Sequence, residues 1–314
     1  MLLGKNAGGL FWMFRNLERS ENTARLLEAG FRMALTRSAA AEGEWASVVS
    51  ASGTYQLYTE EYDTFNAPQV IDFLLRDTTN PSSVMSTITS ARNNARLVRT
   101  ALTREVWEAT NECYITLKGL LDRKISDSEL PDILAVIRQQ SSLVRGALHG
   151  TMLRNDAYDF ARLGTFVERA DNTARILDVK YYVLLPSASF VGSSLDNVQW
   201  ESILRSVSAL SAYRWLNAGE INPVFIADFL ISDRRLPRSL AFCYKQIVEN
   251  LDYLSEGYDL ELPCHEQAAV LYQRLRNTPI DDIFDMGLHE FIVDFIDGNA
   301  QLANQIAQDY RFDG

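Results

Sequence analysis

The chain has 314 residues, of which 47% are hydrophobic, and this is enough apolar material for a sizeable core without disulfide or metal staples. The net charge of −11 and the isoelectric point near 4.9 argue against coating nucleic acid and against binding anionic membranes by charge. Cys113, Cys243 and Cys264 are widely spaced, which argues against a disulfide framework or a cysteine zinc site and favours the cytoplasm. We expect neither a signal peptide nor a membrane-spanning segment.

Apolar residues recur at helical spacing along the chain, and no useful length alternates with the period of two that strands show. We therefore predict an all-α fold. Polar residues and prolines mark several helix starts, and Thr103 is placed to cap the helix that follows it. The predicted helices cover about residues 9–38, 45–59, 67–75, 81–102, 104–121, 130–148, 160–185, 238–255, 263–277 and 287–310.

One twelve-residue motif occurs twice. The segment 17–28, LERSENTARLLE, returns as 167–178, VERADNTARILD, with seven of twelve positions identical. The repeat extends further, because Trp200 lies 155 positions after Trp45 and other segments follow at a similar displacement. Two copies of one unit predict a helical bundle built from two pseudo-repeated halves, about 1–155 and 156–314, in a single domain. We also predict that the two motif helices are central and adjacent.

Both copies of the motif place acidic residues where a helical bundle normally has leucine. On a helix, Glu21 and Glu28 interrupt the apolar stripe of the first copy, and Asp171 and Asp178 interrupt that of the second. These carboxylates need partners if the helices are buried. The motif also carries Asn-Thr pairs in mid-helix, where both residue types are poor helix formers, and this indicates side-chain hydrogen bonds. The pairs are Asn22-Thr23 and Asn172-Thr173.

Charged residues of the motif are also spaced by seven. Glu18 and Arg25, like Glu168 and Arg175, lie about 10 Å apart along a helix axis, too far to pair easily within one helix. We therefore predict that these four residues form one coupled set of Arg–carboxylate contacts between the two helices.

The motif charges have two interpretations. They cross-link the bundle and set its register, which we favour, or they bind a polar ligand or a metal in a partly dry seam. A Mg²⁺ site built from Glu21, Glu28, Asp171 and Asp178 is chemically reasonable, because hard cations prefer oxygen ligands, but spacing alone gives it little support. We therefore assign no metal.

Common catalytic signatures are missing. The chain has no P-loop, dinucleotide-binding fingerprint, H-E-x-x-H motif or nucleophile elbow. The three histidines are scattered, and Cys264-His265-Glu266 is a run of neighbours whose side chains point in different directions on a helix. We assign no catalytic residue and no cofactor.

The motif and its flanks resemble the bacterial alpha-E family, all-helical proteins named for a Glu-Arg motif. The likeness rests on Leu10-Phe11-Trp12-Met13 with the first motif copy, on the second copy, and on the stretches 205–214 and 229–239, so it covers nearly the whole chain. One departure is Phe14, where the family pattern suggests glycine, and it puts local helix packing in doubt. The family motif maps onto Glu18, Arg19, Asn22, Thr23 and Arg25, and onto Glu168, Arg169, Asn172, Thr173 and Arg175.

The resemblance implies an accessory role beside circularly permuted ATP-grasp ligases and possibly transglutaminase-like proteins, and hence a part in amide-bond chemistry. Our leading hypothesis is a non-catalytic partner of such a ligase. One alternative is an enzyme that acts itself on an aminoacyl or peptidic substrate in the Glu/Arg-lined seam. A second alternative is a purely structural helical module.

Overall fold

The computed structural model describes residues 2–36, 41–184, 194–217 and 220–312, and within these ranges the protein has fifteen α-helices and no β-strand. The predicted all-α class is confirmed, whereas the division into two repeated halves stays a prediction. The helices are α1 Gly4–Thr36, α2 Ala41–Ala51, α3 Tyr55–Thr59, α4 Ala67–Leu75, α5 Val84–Leu97, α6 Arg104–Leu121, α7 Leu130–Thr151, α8 Asp156–Leu184, α9 Ser194–Ser206, α10 Leu210–Leu216, α11 Pro223–Ser232, α12 Leu240–Tyr258, α13 Pro263–Asn277, α14 Ile280–Met286 and α15 Leu288–Asp309.

The two motif helices, α1 and α8, lie side by side at the centre of the bundle, as predicted. Each is buried around most of its circumference, which is typical of a helix with neighbours on every side, and Phe11, Phe14 and Phe166 are fully buried. Helices α5, α7 and α2 pack on α1, and α12 and α15 pack on α8. The two central helices run in the same direction, because Gly164 lies against Phe11 while the later motif residues of both helices line one cavity.

Gly164 permits the close approach of α8 to α1. A Cβ at this position would lie 2.1 Å from the main-chain oxygen of Phe11 and 3.2 Å from the main-chain nitrogen of Arg15. The corresponding position of the first copy holds Phe14, which is buried in the core. One glycine, on α8, therefore provides the contact, and the departure at Phe14 does not disturb the pairing of the two helices.

Several helix starts follow from local side-chain chemistry. Thr103 caps α6 as predicted, with its Oγ1 accepting a hydrogen bond from the Val106 main-chain nitrogen. Ser83 and Ser239 cap α5 and α12 in the same way. Such caps satisfy main-chain donors that have no partner inside the helix. Arg238 directly precedes the Ser239 cap of α12.

Some predicted boundaries are wrong. The helix predicted for 45–59 is two helices, because Gly53 adopts a positive φ of 74° and ends the first of them. The helix predicted for 81–102 ends at Leu97 and is followed by a short 3-10 turn. Helix α14 begins directly after Pro279, where a helix start was predicted, but its extent was not. Helical spacing places Leu35 at the end of the apolar stripe of α1, but its side chain is 70% exposed. The predicted helix segments at 37–38 and at residue 185 lie outside the described residues.

Of the described helices, none combines the length and the apolar character that a bilayer crossing requires.

Candidate functional site

Each central helix contributes one buried glutamate and one arginine to salt bridges with the other central helix. Arg169 on α8 donates to Glu18 on α1, with Nε–Oε1 and Nη2–Oε2 distances of 2.8 and 2.9 Å. Arg19 on α1 donates in the same way to Glu168 on α8, at 2.5 and 2.8 Å. Both contacts are two-pronged forks, the geometry in which guanidinium and carboxylate match best. We call these four residues the Glu–Arg exchange. The sequence predicted this type of contact, an arginine of one motif helix bound to a carboxylate of the other.

The arginines of this exchange are not those that the spacing predicted. Arg25 binds Glu21 one turn away in its own helix, with an Nη2–Oε1 distance of 2.7 Å, and Arg175 binds Asp171 likewise, with an Nε–Oδ2 distance of 2.7 Å. The predicted coupled set of Glu18, Arg25, Glu168 and Arg175 is therefore wrong in its arginines. Residues four apart lie on one face of a helix, so Glu21 and Asp171 each bind the arginine four positions later in the same helix.

Arg25 and Arg175 also lie at the ends of neighbouring helices. Arg25 donates to the Ser206 main-chain oxygen at 3.1 Å and to the Ser208 hydroxyl at 2.7 Å, at the end of α9. Arg175 lies beside Gly53 at the end of α2, where a Cβ would be 3.2 Å from its Nη1. Ser208 and Gly53 both have positive φ, 56° and 74°. Each arginine thus places positive charge at the negative end of a helix.

On the Glu18 side of the central pair, two further arginines close the network. Arg238, from the segment before α12, donates to Glu21 Oε1 at 2.6 Å and to Asn22 Oδ1 at 3.1 Å. Arg145 on α7 contacts both Glu18 and Glu21. We call this the closed flank. Each of its two carboxylates, Glu18 and Glu21, is held by several guanidinium groups.

The charges of the closed flank fix the protonation of its acids. Burial by itself raises the pKa of Glu18, but the guanidinium groups of Arg169, Arg238 and Arg145 outweigh it and hold that pKa well below its usual range. The pKa of Glu21 is lowered by the same balance, with Arg238 the strongest partner. Burial lowers the pKa of Arg238 to about 10, which still leaves it protonated near neutrality.

The Glu168 side of the pair remains open. Arg15 adds a second arginine to Glu168, at 2.8 Å between Nε and Oε2, and with Arg19 it outweighs burial and brings the pKa of Glu168 to about 2. Beyond them lies a cavity of about 180 Å³, which we call the motif cavity. It is lined by Arg19, Asn22, Thr23, Leu26, Ala51, Ser52, Gly53, Ser82, Glu168, Asp171, Asn172 and Arg175.

Asn172 differs from its counterpart Asn22 in one contact. The Oδ1 of Asn22 accepts from Arg238, whereas the buried Oδ1 of Asn172 has no hydrogen-bond partner among the described residues. The position that corresponds to Arg238 in the first half is Ser82, since Pro81-Ser82-Ser83 matches Pro237-Arg238-Ser239. Ser82 lines the motif cavity, and its short side chain leaves open the space that a guanidinium fills on the closed flank.

The predicted hydrogen bonds of the Asn-Thr pairs are confirmed only in part. Asn22 Nδ2 donates to the Glu168 main-chain oxygen at 3.4 Å, which adds a polar contact between the central helices. Thr173 Oγ1 is buried without a hydrogen-bond partner, so the prediction is wrong for that side chain. Thr23 lines the motif cavity.

The two remaining acids of the stripes lie beyond the motif cavity and bind separate basic groups. Glu28 pairs with Arg32 at 3.0 Å and with Arg138, and Asp178 lies 2.6 Å from His289 Nδ1. Burial raises the pKa of Asp178, and the His289 contact opposes it. The four carboxylates considered for Mg²⁺ therefore have separate partners, and no group of three or more potential metal ligands occurs among the described residues.

Three arginines of the network were missed by the sequence reasoning: Arg15, Arg145 and Arg238. The only signal for Arg238 was the match of its Pro-x-Ser segment with residues 81–83, which pointed to a shared backbone rather than to a charge. Arg145 lies on the polar side of an amphipathic helix, where arginine is ordinarily solvated. Arg15 lies two residues before the motif, so the repeat gave no indication of its role.

The cysteines do not supply a nucleophile. All three are buried, and burial raises the pKa of Cys113 and of Cys243 to about 12. Cys264 Sγ lies 3.8 Å from His265 Nδ1, closer than adjacent helix positions suggested, but burial again raises the pKa of this thiol. The same Nδ1 accepts from the Leu262 main-chain nitrogen at 2.9 Å, so the histidine helps to start α13.

The fold and the site define an all-helical bundle protein whose two central, parallel helices are joined by reciprocal Glu-Arg pairs. A model of the Alpha-E family, described as a predicted alpha-helical domain with a conserved ER motif, matches residues 2–310. The chain belongs to this family. Comparison with curated proteins and with solved structures found no match.

Proposed function

We propose that this protein is a non-catalytic partner of an amide-bond-forming ATP-grasp ligase and that it holds an amino acid or the end of a peptide in the motif cavity. The ATP-grasp partner, and a transglutaminase-like protein as a second partner, follow from the family resemblance. The ligand class follows from the charges of the cavity.

The observation that carries the ligand proposal is the mixed charge of the motif cavity. Arg19 and Arg175 line this cavity and keep 29% and 30% of their side chains exposed, although both already have a carboxylate partner. Asp171 also lines the cavity and retains an exposed fraction. A zwitterion matches this arrangement, with its carboxylate toward the arginines and its ammonium toward Asp171 and the unpartnered oxygen of Asn172.

A catalytic role for the seam has less support. The pKa values of Glu18 and Glu168 are lowered, so both stay ionised and are weak bases near neutrality. Each carboxylate is also held by two or more arginines, which leaves little freedom to move a proton. The only remaining support for the enzyme alternative is therefore the family resemblance, which implies a part in amide-bond chemistry.

The partner role is tested with an ATP-grasp ligase from the same genome. We expect the two proteins to co-purify, and amide product to form faster with both than with the ligase alone. Product formed by this protein without the ligase would overturn the non-catalytic role, and no association in any nucleotide state would overturn the partnership.

The ligand is tested by melting the protein with free amino acids, their N-acetyl derivatives and their amides. A ligand that binds the folded state raises the melting temperature. We expect free amino acids to raise the melting temperature of the wild type, and N-acetyl derivatives and amides to leave it unchanged. The rise should be absent in Asp171→Asn. It should remain in Asp132→Asn, which alters an exposed acid on α7. No rise with any of these compounds would instead support the purely structural alternative.

A further inference from the structure

A second and larger cavity lies between the first turns of α8 and the C-terminal half of α12. Its volume is about 850 Å³, within the range of small-molecule sites. It shares no lining residue with the motif cavity. Its wall includes Tyr158, Tyr253 and Tyr258 together with several charged side chains. Neither the Glu–Arg exchange nor the proposed ligase partnership gives this cavity a role.

Asp159 is the unusual residue of this cavity. It is 6% exposed, yet within the described part of the chain its carboxylate has no hydrogen bond and no ion pair, although it lines the cavity. Buried carboxylates ordinarily have such partners, because an isolated buried charge is costly. Burial, together with the neighbouring Asp156, raises the pKa of Asp159 to about 7, although the charge of Arg162 opposes this rise. A partner that brings positive charge would remove this cost.

The nearest charged groups are already engaged elsewhere. Asp156 accepts from the Ala157 main-chain nitrogen at 2.8 Å and from the Tyr258 hydroxyl at 2.7 Å. Arg162 binds Gln246 and lies over the Phe166 ring, 4.3 Å from its centroid. Arg154 donates to main-chain oxygens and lies 4.0 Å from the ring centroid of Tyr158. Glu249 accepts from Gln246 at 2.6 Å, and Glu256 is exposed. Asp159 is therefore the buried carboxylate of this wall that is placed to accept a hydrogen bond from a ligand.

The wall as a whole favours a cation. Its carboxylates are Asp156, Asp159, Glu249 and Glu256, against two guanidinium groups, so its charge is net negative. Tyr253 and Tyr258 add aromatic surface beside Tyr158, whose ring already lies under Arg154, and ring faces attract ammonium groups. A carboxylate accepts a strong hydrogen bond from a primary ammonium. An anionic ligand would instead meet an unbalanced excess of negative charge.

We propose that this cavity binds a small aliphatic amine, whose primary ammonium is held by the Asp159 carboxylate and whose chain lies among the tyrosines. The proposal does not depend on the ligase partnership. It also makes a different residue essential from the amino-acid site, Asp159 here and Asp171 there.

The test is calorimetric titration of the full chain with 1,5-diaminopentane. We expect saturable one-site binding to the wild-type protein, and affinity at least tenfold weaker in Asp159→Asn, which keeps the shape of the side chain but removes its charge. Asp132→Asn, which alters an exposed acid on α7 outside this cavity, should change affinity less than threefold. The diacetylated diamine should not bind, because it has no ammonium group.

A second variant guards against loss of folding in Asp159→Asn. Gly257 lines the cavity, and a Cβ there would meet no atom within 4 Å, so Gly257→Trp should fold while it fills the mouth and weakens binding at least tenfold. Titration with free lysine distinguishes a simple diamine from an amino acid that carries the same amine. Absence of diamine binding to the wild type, or equal binding to both cavity variants, would overturn the proposal.

Discussion

Arg169 reaches across the interface of the two central helices and holds both oxygens of Glu18, at 2.8 and 2.9 Å, while Arg19 does the same for Glu168 in the opposite direction. Each helix thus gives one carboxylate and one guanidinium to the other. Such reciprocity is what an approximate two-fold axis between parallel helices produces. It also ties the two copies of the motif together, so loss of either carboxylate should weaken the contact between the two central helices.

Glu18→Gln should destabilise the protein strongly. The change leaves Arg169, Arg238 and Arg145 with less negative charge around a buried site, and breaking such a pair typically costs about 3–5 kcal/mol. Chemical denaturation measures the free energy of unfolding. Glu108→Gln is the matched control, because its Arg104 partner is exposed and the change should lie within experimental error. Equal effects of the two substitutions would contradict the buried network.

The identity of the inter-helix pair can be checked by a double-mutant cycle. Arg19→Met and Glu168→Gln should be non-additive, with a coupling free energy of about 0.5–3 kcal/mol, because the two side chains are in direct contact. Arg25→Met and Glu168→Gln should combine nearly additively, since Arg25 binds Glu21 instead. Strong coupling in the second cycle alone would restore the pairing that the seven-residue spacing suggested.

Glu168 should make the free energy of unfolding depend on pH in the acidic range. Its folded-state pKa of about 2 lies below the ordinary value of 4.5, so its contribution is complete above pH 4.5 and is lost as pH falls toward 2. The shift corresponds to roughly 3 kcal/mol. The difference in unfolding free energy between the wild type and Glu168→Gln should therefore shrink from pH 6 to pH 3. A difference that stays constant over this range would mean that the carboxylate is not held by Arg19 and Arg15.

Gly164→Ala should separate the central helices. The added Cβ would overlap the main-chain oxygen of Phe11, and overpacking of this kind costs roughly 1–3 kcal/mol. Gly146→Ala, on the exposed side of α7, meets no atom within 4 Å and should stabilise by about 0.5–1 kcal/mol. Opposite signs for the two glycines in thermal or chemical unfolding are the expected result, and two stabilising changes would argue against the close contact.

The sequence alone determined the helical character of the protein, because apolar spacing and helix caps act over a few residues. Thr103 and Pro263 mark helix starts where the structure has them. The repeated motif also identified the two central helices, since acids inside an apolar stripe need a buried partner. The spacing was right that Glu18 finds an arginine on the other helix.

Only the tertiary structure decided which arginines those are. Helical period tells which face a residue occupies, but not which side chain faces it from another helix. Arg145 and Arg238 reach Glu21 from positions more than 120 residues away, and a long flexible guanidinium side chain leaves no periodic mark in the sequence. The motif cavity is open because Ser82 lies at the position that Arg238 occupies on the closed flank, and only the folded structure shows where these two residues lie.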